Sequence, residues 1–161
     1  MIATALLAVA AQAVTPPPLV VTVSVPEAVR IVAGGSARAR VVVAIEKGFR
    51  IQANPASEPY LVPARLRLKQ DDRVRMGPVE YPPGKPYRLH GTSSDLSVYE
   101  GTLVVLVPLE APGSAGTGTR GGLDLVLEGT LEYQACNRVV CLKPSSAPAR
   151  VPVRIEPDRR P

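Results

Sequence analysis

In the stretch LDLVLEGTLEY, residues 123–133, apolar side chains fall on every second position. Leu123, Leu125 and Leu127 share one side of an extended chain, and the beat resumes at Leu131 and Tyr133 after Gly129. A period of two does not fit a helix, whose apolar stripe recurs every three to four residues. The same alternation opens ARARVVVAIEK (37–47), which then turns continuously apolar as a sandwich-core strand does, and it returns in YLVPARLRLK (60–69). No segment sustains a helical period. Shorter runs at LVVTVSV (19–25), FRIQ (49–52), Ser97–Tyr99, GTLVVLVPL (101–109) and ARVPVRIE (149–156) bring the expected total to roughly seven to nine strands. The expected fold class is all-β, an antiparallel β-sandwich.

The breaks between the strands agree with this. Pro occurs 18 times and Gly 13 times in 161 residues, well above ordinary usage. NPASEP (54–59) is turn chemistry throughout. GPVEYPPGKPYR (77–88) carries four prolines, which argues against a regular central strand. Pro63 points to an edge or a bulge, and Gly129 to a bulge or bend. APGSAGTGTRGG (111–122) reads as a flexible connecting loop. With no Trp and one Phe, the core must rest on Val, Leu, Ile and Ala. The length suits one domain that buries a core without cross-links, and no repeat or second domain is visible.

The first 13 residues, MIATALLAVAAQA, read as a signal peptide: an apolar run too short to span a bilayer, then Ala11-Gln12-Ala13 as a small-residue cleavage pattern. No Lys or Arg precedes the run. Residues 14–18 with Pro16, Pro17 and Pro18 form a stiff linker, 19–156 the domain, and 157–161 a frayed tail. Export to the periplasm is expected, where a cysteine pair can persist as a disulfide. No other segment is a transmembrane candidate. The net charge of +5 does not indicate nucleic acid. Arg65, Arg67 and Lys69 alternate with Leu66 and Leu68, as on the wet face of a strand, and no basic run is interleaved with aromatics.

Chemistry is scarce. His90 is the sole histidine and stands in a loop beside Gly91, so a catalytic triad is implausible. There is no phosphate loop and no dinucleotide fingerprint. The two cysteines, Cys136 and Cys141, stand in YQACNRVVCLKP (133–144). Residues 137–140 can close a hairpin that sets the two side chains opposite each other, within reach of a disulfide. As a staple the bond would be weak, since closing so short a loop contributes roughly 2 kcal/mol. Spacing alone leaves a structural bond and a redox pair equally open. A metal clip is a minor reading, because structural zinc takes four ligands.

Three blocks bear on that choice: GFRIQANPASEPYLVPARLRL (48–68), VEYPPGKPYRLHGTSSDLSVYEGTLVVLVPL (79–109) and YQACNRVVCLKP (133–144). In order and spacing they resemble the N-terminal periplasmic domain of the bacterial thiol:disulfide interchange protein DsbD, a protein-disulfide reductase family. The resemblance implies an immunoglobulin-like β-sandwich with a redox-active pair. It implies thiol–disulfide exchange with periplasmic thioredoxin-like proteins or disulfide isomerases. By position, Cys141 would form the mixed disulfide and Cys136 would resolve it. A cap loop over the pair would correspond to about Leu89 to Leu96, with Leu89, His90, Gly91 and Leu96 as its candidate residues.

The chain departs from the family at three places. The cap tip lacks the shielding aromatic, for which Leu89, His90 and Leu96 are the nearest substitutes. The cysteine spacing is one residue shorter than in some members. Lys143 stands where the family often has Pro; in a strand it would share a side with Cys141, and its ammonium would favour the thiolate. The favoured expectation is therefore a stand-alone exported thiol–disulfide exchange domain needing no cofactor and no metal. A separate membrane electron donor is a candidate second partner. The alternative is a β-sandwich binding or scaffold module with a purely structural disulfide. A metal chaperone using Cys136, Cys141 and His90 is the third reading.

Overall fold

The computed structural model of the chain describes residues 19–115 and 121–158. The expected signal peptide (1–13), the linker (14–18), the loop tip at 116–120 and the last three residues lie outside them. Twelve strands follow in chain order: β1 (Val21–Ser24), β2 (Val29–Val32), β3 (Ser36–Ile45), β4 (Arg50–Gln52), β5 (Arg65–Leu68), β6 (Arg75–Met76), β7 (Lys85–Arg88), β8 (Asp95–Tyr99), β9 (Thr102–Glu110), β10 (Leu123–Tyr133), β11 (Ala135–Cys136) and β12 (Ser145–Glu156). No helix occurs among the described residues, and the fold is an immunoglobulin-like β-sandwich.

Two four-stranded sheets enclose the core, ordered β1-β3-β9-β6 and β2-β12-β10-β5. The expected alternation sets their faces. Val41 and Val43 on β3, Val105 and Val107 on β9, Leu127 and Leu131 on β10, and Val151 and Val153 on β12 are all buried in one cluster. Their neighbours Arg40, Glu128 and Arg150 stay exposed. All pairings are antiparallel except β2 with β12, which is parallel. β5 forms an edge, as Pro63 foretells, but begins only at Arg65. β12 starts at Ser145, four residues before the expected start at Ala149. Pro148 and Pro152 are tolerated inside it because β2 pairs only from Val153 to Glu156.

A third sheet, β11-β4-β8-β7, sits at one end and was not separated in the sequence. It is made from continuations of the long strands. The chain leaves β3, turns at Gly48 (φ 89°) and enters β4. It leaves β8, turns at Gly101 (φ 70°) and enters β9. It passes from β10 through Gln134 into β11. Positive φ at Gly48 and Gly101 is a backbone state that side-chain-bearing residues rarely adopt. β2, β6, β7 and β11, none of which was expected as a separate strand, raise the number above the expected seven to nine. β7 lies within the proline-rich stretch, and it is an edge strand, which accommodates Pro86.

Gly129 is not a bulge: β10 pairs with β12 without interruption from Leu123 to Tyr133. On its other side Gly129 opposes Leu68, and a Cβ there would collide with the Arg67 carbonyl. Close approach of the neighbouring backbone is the reason for glycine.

Candidate functional site: a disulfide at the end of the third sheet

Cys136 ends β11 and faces Cys141 as an isolated antiparallel bridge pair. Their sulfurs are bonded, with the Cα atoms 3.9 Å apart. The backbone bonds lie to either side of the pair: Asn137 N–H donates to Val140 O at 3.0 Å, and Leu142 N–H to Ala135 O at 2.7 Å. The cysteines therefore occupy a non-hydrogen-bonded pair, the ladder position at which side chains come closest. The intervening loop is held by one side chain. Asn137 Oδ1 accepts from the N–H groups of Val139 (2.8 Å) and Val140 (2.9 Å), the local bonding that suits Asn to turns. Because these bonds are independent of the sulfurs, the hairpin has its own support when the S–S bond opens.

The two sulfurs are not equivalent. Cys136 is fully buried, whereas Cys141 is partly exposed. Beside Cys141 stand three exposed apolar residues, Val139 (69% exposed), Val140 (50%) and Leu142 (38%). Apolar side chains adjacent to one another in water usually mark a surface that another molecule covers.

Beneath the pair lies Gln52, which nothing in the sequence analysis singled out. Its side chain is fully buried, and its Nε2 donates to Cys136 Sγ at 3.1 Å and lies 3.8 Å from Cys141 Sγ. Its Oε1 is buried without a hydrogen-bond partner. The pairing explains the placement. β4 and β11 align Cys136 with Arg50, so Gln52, two residues along on the same face, is a diagonal neighbour within reach of a long side chain. Gln134, the residue between β10 and β11, fastens the surrounding loops. Its Oε1 accepts from Val62 N–H at 3.0 Å and its Nε2 donates to Leu142 O at 3.2 Å. Ile51, Gln52 and Ala53 are all buried, so the strand hides both its faces here and the glutamine is not on a wet side.

The candidate cap residues divide. Leu96 belongs to β8, opposite Tyr87 of β7, rather than to a loop. Leu89 is half-buried, while His90 and Gly91 are exposed in the β7–β8 connection. That connection meets the cysteine hairpin through one backbone contact, His90 N–H to Arg138 O at 3.4 Å. Lys143 is exposed. It lies between the Cys141 bridge and β12, outside any strand, so strand alternation does not align it with Cys141. The two sulfurs bond each other, and the described residues gather no group of three His, Cys, Asp or Glu side chains suited to a metal ion.

The chain matches the family described as "Thiol:disulfide interchange protein DsbD, N-terminal" over residues 21–151. It belongs to that family. The matched range includes every strand up to β11 and both cysteines. Among solved structures, the N-terminal periplasmic domain of ScsB from Proteus mirabilis is similar in fold, with a TM-score of 0.56 at 15% identity. The similarity covers 86% of this chain and 48% of that one, so the chain spans about half the length of its structural relative. A family 123 glycoside hydrolase from Clostridium perfringens is a more distant likeness, with a TM-score of 0.37 at 9% identity over 88% of this chain and 28% of that one. No curated protein sequence matches. Among the described residues, no helix is long and apolar enough to cross a membrane.

Proposed function

We propose that this chain is an exported, periplasmic thiol–disulfide exchange domain that passes electrons to or from thioredoxin-like or disulfide isomerase partners through Cys136 and Cys141. The observation that carries the reading is the unequal exposure of a bonded cysteine pair in a DsbD N-terminal family chain. Cys141, partly exposed, can meet a partner, and the fully buried Cys136 cannot.

In the reducing direction, the Cys141 thiolate attacks a sulfur of the partner's disulfide. A Cys141–partner bond forms and the partner's own S–S bond breaks, one partner sulfur leaving as thiolate. The Cys136 thiolate then attacks Cys141 Sγ. The Cys136–Cys141 bond forms, the mixed disulfide breaks, and the second partner sulfur leaves with the electron pair. Two electrons have moved from the pair to the partner. A dithiol donor running the same steps in reverse restores the reduced pair. The β7–β8 connection is the proposed cap, and the Lys143 ammonium the proposed aid to thiolate formation.

The test is the reduction potential of the pair, read by equilibrating the protein in graded glutathione buffers and tagging free thiols. Exchange proteins poise at about −180 to −270 mV, and a value in that range is expected. A potential well below about −300 mV marks a structural bond and leaves the scaffold reading in its place.

A further inference from the structure

We infer that the side-chain amide of Gln52 is a positioning residue for the redox pair: its N–H holds the buried sulfur of Cys136 as a thiolate whenever the disulfide opens. The inference rests on the exchange reading above, to which it adds a residue and a role.

The argument begins with burial. Cys136 is fully buried, and opening the disulfide from Cys141 makes Cys136 Sγ the leaving group, carrying the electron pair into a buried position. A bare thiolate there is costly, because burial disfavours the charged form. It needs a donor already in place. Gln52 Nε2, 3.1 Å from that sulfur, is such a donor. A hydrogen bond to a charged acceptor is also about twice as strong as one to a neutral acceptor. The contact is therefore weak in the disulfide state and strong once Cys136 bears charge. That difference favours the open state.

The amide's other end, Gln52 Oε1, is buried with no hydrogen-bond partner. Gln52 should lower the Cys136 pKa, speed the attack of Cys136 on a mixed disulfide at Cys141, and make the pair more oxidising. The charged groups around Cys136 are Arg50, its register partner on β4, Arg138 and Lys143 in and after its own hairpin, and His90 in the adjoining loop. All are untouched by a change at position 52.

The experiment compares Gln52 with Gln52→Met, which keeps the length and removes the donor, and with Gln52→Glu, which replaces the N–H by an anionic oxygen. The Cys136 pKa is read by thiolate absorbance in a Cys141→Ser background, where no exchange occurs. The glutathione equilibrium and the release rate of glutathione from Cys141 are read in the full pair. Thermal melting checks the fold. The expected results are a raised Cys136 pKa in both variants, more so in Gln52→Glu, and about tenfold slower glutathione release with a pair harder to reduce. An unchanged Cys136 pKa in folded variants overturns the inference, and so does a lowered melting temperature with unchanged pKa, which marks a packing role. The pKa measurement does not depend on exchange: a wild-type pair that glutathione cannot open sinks the function, while the Cys141→Ser series still decides the role of Gln52.

Discussion

The guanidinium carbon of Arg50 stands 4.0 Å from the ring centre of Tyr87, so a cation on β4 covers an aromatic ring on β7. The two strands are not neighbours, because β8 runs between them. Arg50 also reaches Glu100 at 3.0 Å, and its side chain is largely shielded from water. The arrangement ties the edge strand, and with it the proposed cap, to the strand that carries Gln52. Replacing Tyr87 with Leu keeps apolar bulk and removes the π face. The expected loss is about 1–2 kcal/mol, with faster amide exchange confined to β7 and the 89–94 connection. Hydrogen exchange read by mass spectrometry checks this; equal acceleration in β10 would mean a general loss of packing instead.

At Gly129 the expectation is steric. A Cβ there meets the Arg67 carbonyl, which is backbone and cannot rotate away. Gly129→Ala should cost about 1–3 kcal/mol and weaken the pairing of β5 with β10, while β10 with β12 persists. Chemical denaturation gives the first quantity, and amide exchange at Leu66 and Leu68 the second. A variant as stable as the parent would contradict the close approach.

Arg73 pairs with Asp71 through two side-chain nitrogens, at 2.8 and 2.6 Å, and donates its backbone N–H at 2.9 Å. The side-chain bonds first, then the backbone bond, hold the Asp71 carboxyl down at about 2, against an ordinary value of 3.8. The folded value is the lower one, so this contribution to stability is present above about pH 4. It disappears as the pH falls towards 2. NMR titration of the Asp71 carboxyl should show the depressed value, and Arg73→Ala should raise it part of the way back, since the backbone N–H at position 73 still donates. A normal value in the parent would show that the pair does not persist in solution.

What the sequence disclosed depended on range. β10 and the first half of β3 could be read because each carries a two-residue alternation, and β9 because it is a long apolar run of β-branched residues and leucines. The third sheet could not, since its strands are short ends of longer runs and its existence depends on where the chain turns at Gly48, Gly101 and Gln134. The cysteine hairpin was legible from the six residues Cys136 to Cys141, but the Asn137 side chain that holds its loop was not singled out. Gln52 was not: a glutamine after Ile51 reads as the wet side of a strand, and only its pairing with a segment 84 residues away puts it under a sulfur. Lys143 illustrates the reverse error, in which strand alternation was applied to a segment that is not a strand.

Lys143 still acts at short range if the proposal holds. Its ammonium is two residues from Cys141 and exposed, so its field on the sulfur passes through water and is screened by salt. Lys143→Ala should slow reaction of the reduced pair with glutathione disulfide by about twofold at low salt, with the difference vanishing in high salt. Stopped-flow rates across a salt series would test this. A salt-independent difference would assign the effect to something other than charge.

The apolar rim makes the last case. Val139, Val140 and Leu142 are exposed on and just after the cysteine loop, next to Cys141, the proposed contact to a partner. A protein partner would cover that rim as its disulfide approaches Cys141, whereas a small disulfide reaches the sulfur without it. Apolar contact speeds exchange only if it is made before the bond changes. Val139→Asp with Val140→Asp should therefore slow reduction of oxidised thioredoxin about tenfold or more, since burying an unpaired charge costs on the order of 1.4 kcal/mol or above. In high salt, where the field of the added carboxylates is screened, reduction of glutathione disulfide should be unchanged, as should the potential of the pair. Paired rate measurements on the two substrates give the comparison. Equal slowing on both would locate the effect in the hairpin itself, and equal rates throughout would show that partners dock elsewhere.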